Sequence, residues 1–85
     1  MKVEGEIIVS IDGRAESVQR LRLEISIGTK WLKIYIYGAD YTVPYQINPL
    51  HMSKLKALAK TYKESSKPED WSKLWYFIRE NYTSN

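Results

Sequence analysis

Reactive side chains are sparse in this sequence and do not converge. His51 is the only histidine and there is no cysteine. A Cys–His pair is therefore impossible, and a Ser–His–acid triad would have to be built on His51. That residue falls in the first turn of an expected helix, beside a run of lysines, where a surface role explains it. Zinc needs three or four Cys, His or carboxylate ligands, and no such spacing occurs. Asp12, Asp40 and Asp70 stand alone at turns or at a helix start, positions that favour aspartate for local hydrogen bonding. Gly5, Gly13, Gly28 and Gly38 are too scattered for a phosphate-cradling loop. The expectation is a protein that is not an enzyme, with no catalytic residue, metal, cofactor or small-molecule substrate.

The chemistry that does stand out is binding chemistry. Arg20, Arg22 and Glu24 alternate along one strand, and Trp31, Lys33, Tyr35 and Tyr37 alternate along the next. Solubility alone would call for Thr, Lys, Glu and Ser at such positions. Aromatic rings interleaved with cations suit single-stranded nucleic acid, because bases stack on the rings at about 1–3 kcal/mol each while cations meet the phosphates. RNA-recognition sheets use aromatic residues in the same way. Arg20, Arg22, Lys30, Trp31, Lys33, Tyr35 and Tyr37 are the expected contacts.

These residues need a sheet to hold them. A first strand is expected over about Val3–Ile11, with Ile7, Val9 and Ile11 alternating against Glu6, Ile8 and Ser10, followed by a turn at Asp12-Gly13. The second, about Val18–Ile27, sets Leu21, Leu23, Ile25 and Ile27 on one face. Gly28-Thr29 reads as a two-residue type II′ hairpin loop. That register places Ile27 opposite Lys30, so Leu32, Ile34 and Ile36 join the aliphatic face. A shorter strand over Tyr41–Ile47 follows the break at Gly38-Ala39-Asp40, and Pro44 assigns it to an edge or a bulge.

Two helices complete the chain. Asn48-Pro49 provides an N-cap and a first helical residue. Leu55, Leu58, Ala59 and Tyr62 then form one stripe, flanked by Lys54, Lys56, Lys60 and Lys63. Ser66-Lys67-Pro68-Glu69 has the spacing of a capping box. Trp71, Leu74, Trp75, Ile78 and Tyr82 make the apolar face of the second helix. The expected fold is α+β, one domain over 1–85. An antiparallel meander of three to four strands (about 3–47) is followed by two amphipathic helices (about 49–64 and 67–82) packed on the sheet.

Two segments resemble a known family. Leu21-Arg22-Leu23-Glu24-Ile25-Ser26-Ile27-Gly28-Thr29-Lys30 looks like the hairpin of the positive cofactor four, or Sub1-like, transcriptional coactivators, whose alternating strand ends in Ile-Ser-x-Gly-x-Lys. Ile47-Asn48-Pro49-Leu50-His51-Met52-Ser53-Lys54-Leu55-Lys56 is similar to that family's strand-to-helix junction. The resemblance covers about a quarter of the chain. It implies a curved four-stranded sheet followed by a helix, a homodimer, and single-stranded DNA held on basic and aromatic sheet residues. Lys30, Trp31 and Lys33 are the positions it places in the DNA-contacting hairpin. The segment between Tyr37 and Ile47 is shorter than the family's, and the long first strand and second helix are additional.

Charge distribution fits a phosphate-binding role. Residues 1–45 carry six basic and six acidic side chains, while 46–85 carry seven and four, which accounts for the whole net charge of +3. Lys54, Lys56 and Lys60 are candidate secondary phosphate contacts. The absence of cysteine, of a signal-like N-terminus and of about 20 consecutive apolar residues implies a soluble, intracellular protein with no membrane partner. Two alternatives remain. The aromatic stripe could be an interface with a second copy or a protein partner, or one helix could cover it and make it core.

Overall fold

The structure, a computed structural model, describes residues 1–10, 13 and 16–83. Strands β1 (Lys2–Ser10), β2 (Val18–Ile27), β3 (Trp31–Ile36) and β4 (Tyr41–Gln46) form one antiparallel sheet in sequential order. A 3₁₀ turn (Pro49–His51) leads into α1 (Met52–Ser65). Helix α2 (Pro68–Ile78) runs on into a π-helical turn at Arg79–Thr83. This is the expected α+β meander with two helices behind it. Ile11 and Asp12 lie outside the described residues, whereas Gly13 has φ +69°, which glycine tolerates without a Cβ clash.

Both helices pack on the same side of the sheet. Val3, Leu23, Ile25, Ile27, Leu32 and Ile34 from the strands meet Leu55, Ala59, Trp71, Leu74 and Ile78 from the helices in one buried cluster. The alternation along β2 and β3 therefore has its aliphatic side inward, and the aromatic side is not covered by either helix.

The β2–β3 register differs from the sequence expectation. Ile27 pairs with Leu32 and Ile25 with Ile34, and the Gly28 N–H donates to the Trp31 carbonyl at 3.0 Å. The loop is thus Thr29-Lys30, not Gly28-Thr29, and neither loop residue has positive φ, which excludes a type II′ turn. The expected register would have set Ile27 against a lysine. The observed one gives it Leu32, and both are at most 2% exposed. The offset is two residues along β3, and because side chains alternate with period two, every residue keeps its expected face.

Helix starts also depart in detail. Asn48 Oδ1 accepts from the Leu50 N–H at 3.0 Å, but the first turn it caps is 3₁₀. The capping box is not formed. Ser66 ends α1 in the left-handed region (φ 57°), and Lys67, held extended by the following Pro68, is the residue that precedes α2. Ser65 takes over locally: its hydroxyl donates to Asp70 Oδ2 at 2.5 Å and accepts from the Lys67 N–H at 3.2 Å.

The two sheet edges are treated differently. On β1 the outward carbonyls of Glu4 and Glu6 accept from the Tyr62 hydroxyl (2.5 Å) and the Trp71 indole N–H (2.9 Å), so the helices close that edge. On β4, Tyr45 and Val43 pair inward with β3, and Pro44 occupies an outward position where no ladder donor is lost. Trp71 reaches β1 because Gly5 lies beneath its ring, and a Cβ at Gly5 would collide with the indole. Gly5→Ala should therefore lower stability by about 1–3 kcal/mol through overpacking. Gly28→Ala, where a Cβ meets only the Trp31 carbonyl at 3.4 Å, should stay within about 0.5 kcal/mol. Urea unfolding of the two variants measures both, and equal midpoints would contradict the assigned role of Gly5.

Candidate nucleic-acid interface on the open sheet face

The register arranges the open face in transverse rows. Trp31 stands beside Gln46. The next row is Lys2, Ser26, Lys33 and Pro44, and the one after it is Glu4, Glu24, Tyr35 and Thr42. Glu6, Arg22 and Tyr37 follow, and then Ile8 and Arg20. All seven expected contacts, from Arg20 through Tyr37, lie on this face or, for Lys30, in the adjoining turn. Lys2, Glu4 and Glu6 share the face because β1 pairs with β2 so that Glu6 meets Arg22 and Glu4 meets Glu24. The alternation of Val3 and Ile7 against Glu4 and Glu6 carries the face, but it does not say which residue of β2 each one meets.

These acids divide the face into two halves. Arg22 donates to Glu4 Oε2 at 2.5 Å, and its guanidinium lies 4.9 Å from the Tyr37 ring centroid, within cation–π range. The Tyr37 hydroxyl donates to Glu4 Oε1 at 2.7 Å. Arg20 approaches Glu6 at 3.7 Å and Lys2 approaches Glu24 at 4.0 Å. The β1–β2 half thus satisfies its own charges. On the β3 side, Lys30 and Lys33 have no ion pair among the described residues, and Trp31 is 48% exposed. Tyr35 is half-buried and meets the edge of Tyr37 at 5.0 Å, with ring planes 82° apart.

Titration follows these contacts. The Arg22 hydrogen bond, then the Tyr37 hydroxyl, hold the Glu4 carboxyl below its ordinary value. Glu4 in turn raises the Arg22 pKa. The Tyr37 phenol is pushed up to about 12, first by its bond to Glu4 and then by burial and the neighbouring carboxylates. The Glu4 contribution to stability is present above the ordinary carboxylate range and is lost as pH falls through its lowered folded value. The Tyr37 contribution is present below pH 10.0 and is lost as pH rises towards about 12.

Lys54, Lys56 and Lys60 are exposed on α1, across the molecule from the open sheet face. Lys54 Nζ lies 5.3 Å from the Phe77 ring centroid. They do not join the aromatic residues in one site. His51 Nδ1 is 2.8 Å from the Tyr82 hydroxyl, a contact tying the first helical turn to the C-terminal one. Among the described residues, no group of three or more His, Cys, Asp or Glu is placed to hold a metal ion. No helix among them is long and apolar enough to cross a membrane. Comparison of the chain with protein-family models, curated proteins and solved structures returns no match.

Removing the Glu4 charge tests the network directly. In Glu4→Gln the Tyr37 phenol should move from about 12 towards 10.0, followed by phenolate absorbance. Tyr37→Phe identifies the band by deleting it. An unchanged titration curve would mean that Glu4 is not what holds the Tyr37 proton.

Proposed function

We propose that this protein holds single-stranded nucleic acid on the open sheet face, centred on the β3 residues Trp31, Lys33 and Tyr35 with Lys30 beside them. The observation that carries the reading is the exposure of the Trp31 indole next to a lysine with no ion pair among the described residues, on a face from which both helices are absent. Trp31 and Tyr35 supply stacking surfaces and Lys33 lies between them on the same face. Arg20, Arg22 and Tyr37 take a lesser part, because a phosphate must first displace Glu4 or Glu6. The resemblance to the positive cofactor four family points to the same strand through Lys30, Trp31 and Lys33.

One observation favours a second reading. The strands place four cations, Lys2, Arg20, Arg22 and Lys33, against three carboxylates, Glu4, Glu6 and Glu24, on this face. Such near-balance suits a protein partner or a second copy better than a polyanion. Under that reading the chain is a dimer in solution with Tyr35 and Tyr37 buried, and it ignores nucleic acid.

Trp71 is buried and Trp75 half-buried, which leaves Trp31 as the exposed indole. An oligothymidylate should therefore quench tryptophan fluorescence, with affinity falling as salt rises. Trp31→Ala should weaken binding by about 5- to 150-fold, the equivalent of about 1–3 kcal/mol for one stacked base, with the circular dichroism spectrum unchanged. Charge reversal at Lys56 and Lys60 should leave single-strand affinity unaltered. The absence of any binding at low salt, together with a concentration-dependent dimer in sedimentation, would transfer support to the protein-interface reading.

A further inference from the structure

We propose that the depression over Ser26, between Lys2 and Lys33, is an anion subsite that takes one phosphate group. Its lining consists of Lys2, Glu24, Ser26, Lys33, Tyr35 and Thr42, and its volume is about 340 Å³. The register explains why it exists. Ser26 is paired with Lys2 on one side and with Lys33 on the other, so a short hydroxyl side chain separates two long cationic ones. Neighbouring strands lie about 4.8 Å apart, which puts the two lysine backbones about 10 Å from each other, within reach of a common anion for two flexible four-carbon stems. Two ammonium groups and the hydroxyls of Ser26, Thr42 and Tyr35 provide donors, and charge-assisted bonds to phosphate oxygens are the strong kind.

Glu24 is the one acid in the lining. Its carboxylate is already engaged, 4.0 Å from Lys2 Nζ and 3.5 Å from the Tyr37 hydroxyl. A pair of that length with a largely exposed lysine holds Lys2 weakly, so an anion competes for it readily, and among the described residues Lys33 has no ion pair to break. Beyond Glu24, Glu4 and Glu6 repel phosphate. The depression is therefore the position where the face accepts an anion, and along β3 it lies between the rows of Trp31 and Tyr35. A phosphate there would have one base on each aromatic side chain. Assignment of that phosphate to a nucleic-acid backbone rests on the function proposed above, whereas the subsite itself would equally accept a free phosphate compound.

Two ligands applied to the ¹⁵N-labelled full chain separate these cases, pyrophosphate and an oligothymidylate, each with wild type, Ser26→Asp and Lys33→Gln. Pyrophosphate should shift the Ser26, Lys33 and Thr42 amides in wild type and not in either variant. For the oligonucleotide, both variants should bind at least tenfold more weakly. In Lys33→Gln the slope of log affinity against log salt should fall by about 0.7, the value for one single-strand phosphate contact, while quenching at saturation is retained. A response to both ligands supports the subsite and its backbone source. A response to pyrophosphate alone supports the subsite and removes the nucleic-acid reading. Oligonucleotide binding that both variants leave unchanged, with no pyrophosphate shifts, overturns the subsite and keeps that reading. Silence towards both ligands overturns both. Amide spectra of the free variants, which should retain the wild-type pattern away from β2 and β3, show that the fold survives.

Discussion

Trp71 rests on Gly5, the one position of β1 without a side chain, and donates its indole N–H to the carbonyl of Glu6. Tyr62 makes the parallel contact from α1 to the carbonyl of Glu4. Through these two residues both helices are attached to the β1 edge on the aliphatic side of the sheet. Trp71 also stacks on Trp75, with centroids 6.4 Å apart and planes inclined by 7°, and so links the edge contact to the body of α2. A large ring seated on a glycine removes apolar surface from water and satisfies a backbone acceptor at once. The position of the helices, and hence the exposure of the opposite face, depends on this contact.

With both helices on one side, the other side of a four-stranded sheet is left to solvent, and its composition becomes functional information. It is not a uniformly basic surface. The carboxylates of β1 meet the arginines of β2, and the result is a self-satisfied half beside a half where Trp31 and Lys33 are available. Single-strand recognition by stacking needs only a few rings and a modest cationic field. A wide phosphate-tracking groove would need the arginines free. Under the proposed function, this charge arrangement favours a short contact at β3 and its neighbours.

The edges bear on association. The β1 edge is closed by helix side chains, and the β4 edge carries Pro44, which has no N–H to offer a further strand. Proline and covering elements are common means of blunting a sheet edge. A second copy would therefore meet this protein through a face more readily than through strand addition.

Much of this was legible in the residues. The period-two alternation of β2 and β3 is strong enough that a two-residue offset in register left every face assignment intact, and of the two helical stripes Leu55, Ala59, Trp71, Leu74 and Ile78 are buried while Leu58, Tyr62, Trp75 and Tyr82 pack partly buried against them. Local signals did less well where they competed. Ser66 reads as a cap, yet Pro68 forces Lys67 into that place and leaves Ser66 to end α1. Gly28 reads as a turn residue, yet burial of Ile27 against Leu32 moves the loop one residue on. Pattern and composition establish which side chains travel together, because the periodicity of a strand or helix is a property of the backbone. They do not establish which strand of a neighbouring pair supplies the counter-charge, or which side of the sheet the helices choose. Those depend on contacts between residues far apart in the chain, Glu4 with Arg22 and Trp71 with Gly5, and only the folded arrangement brings them into reach.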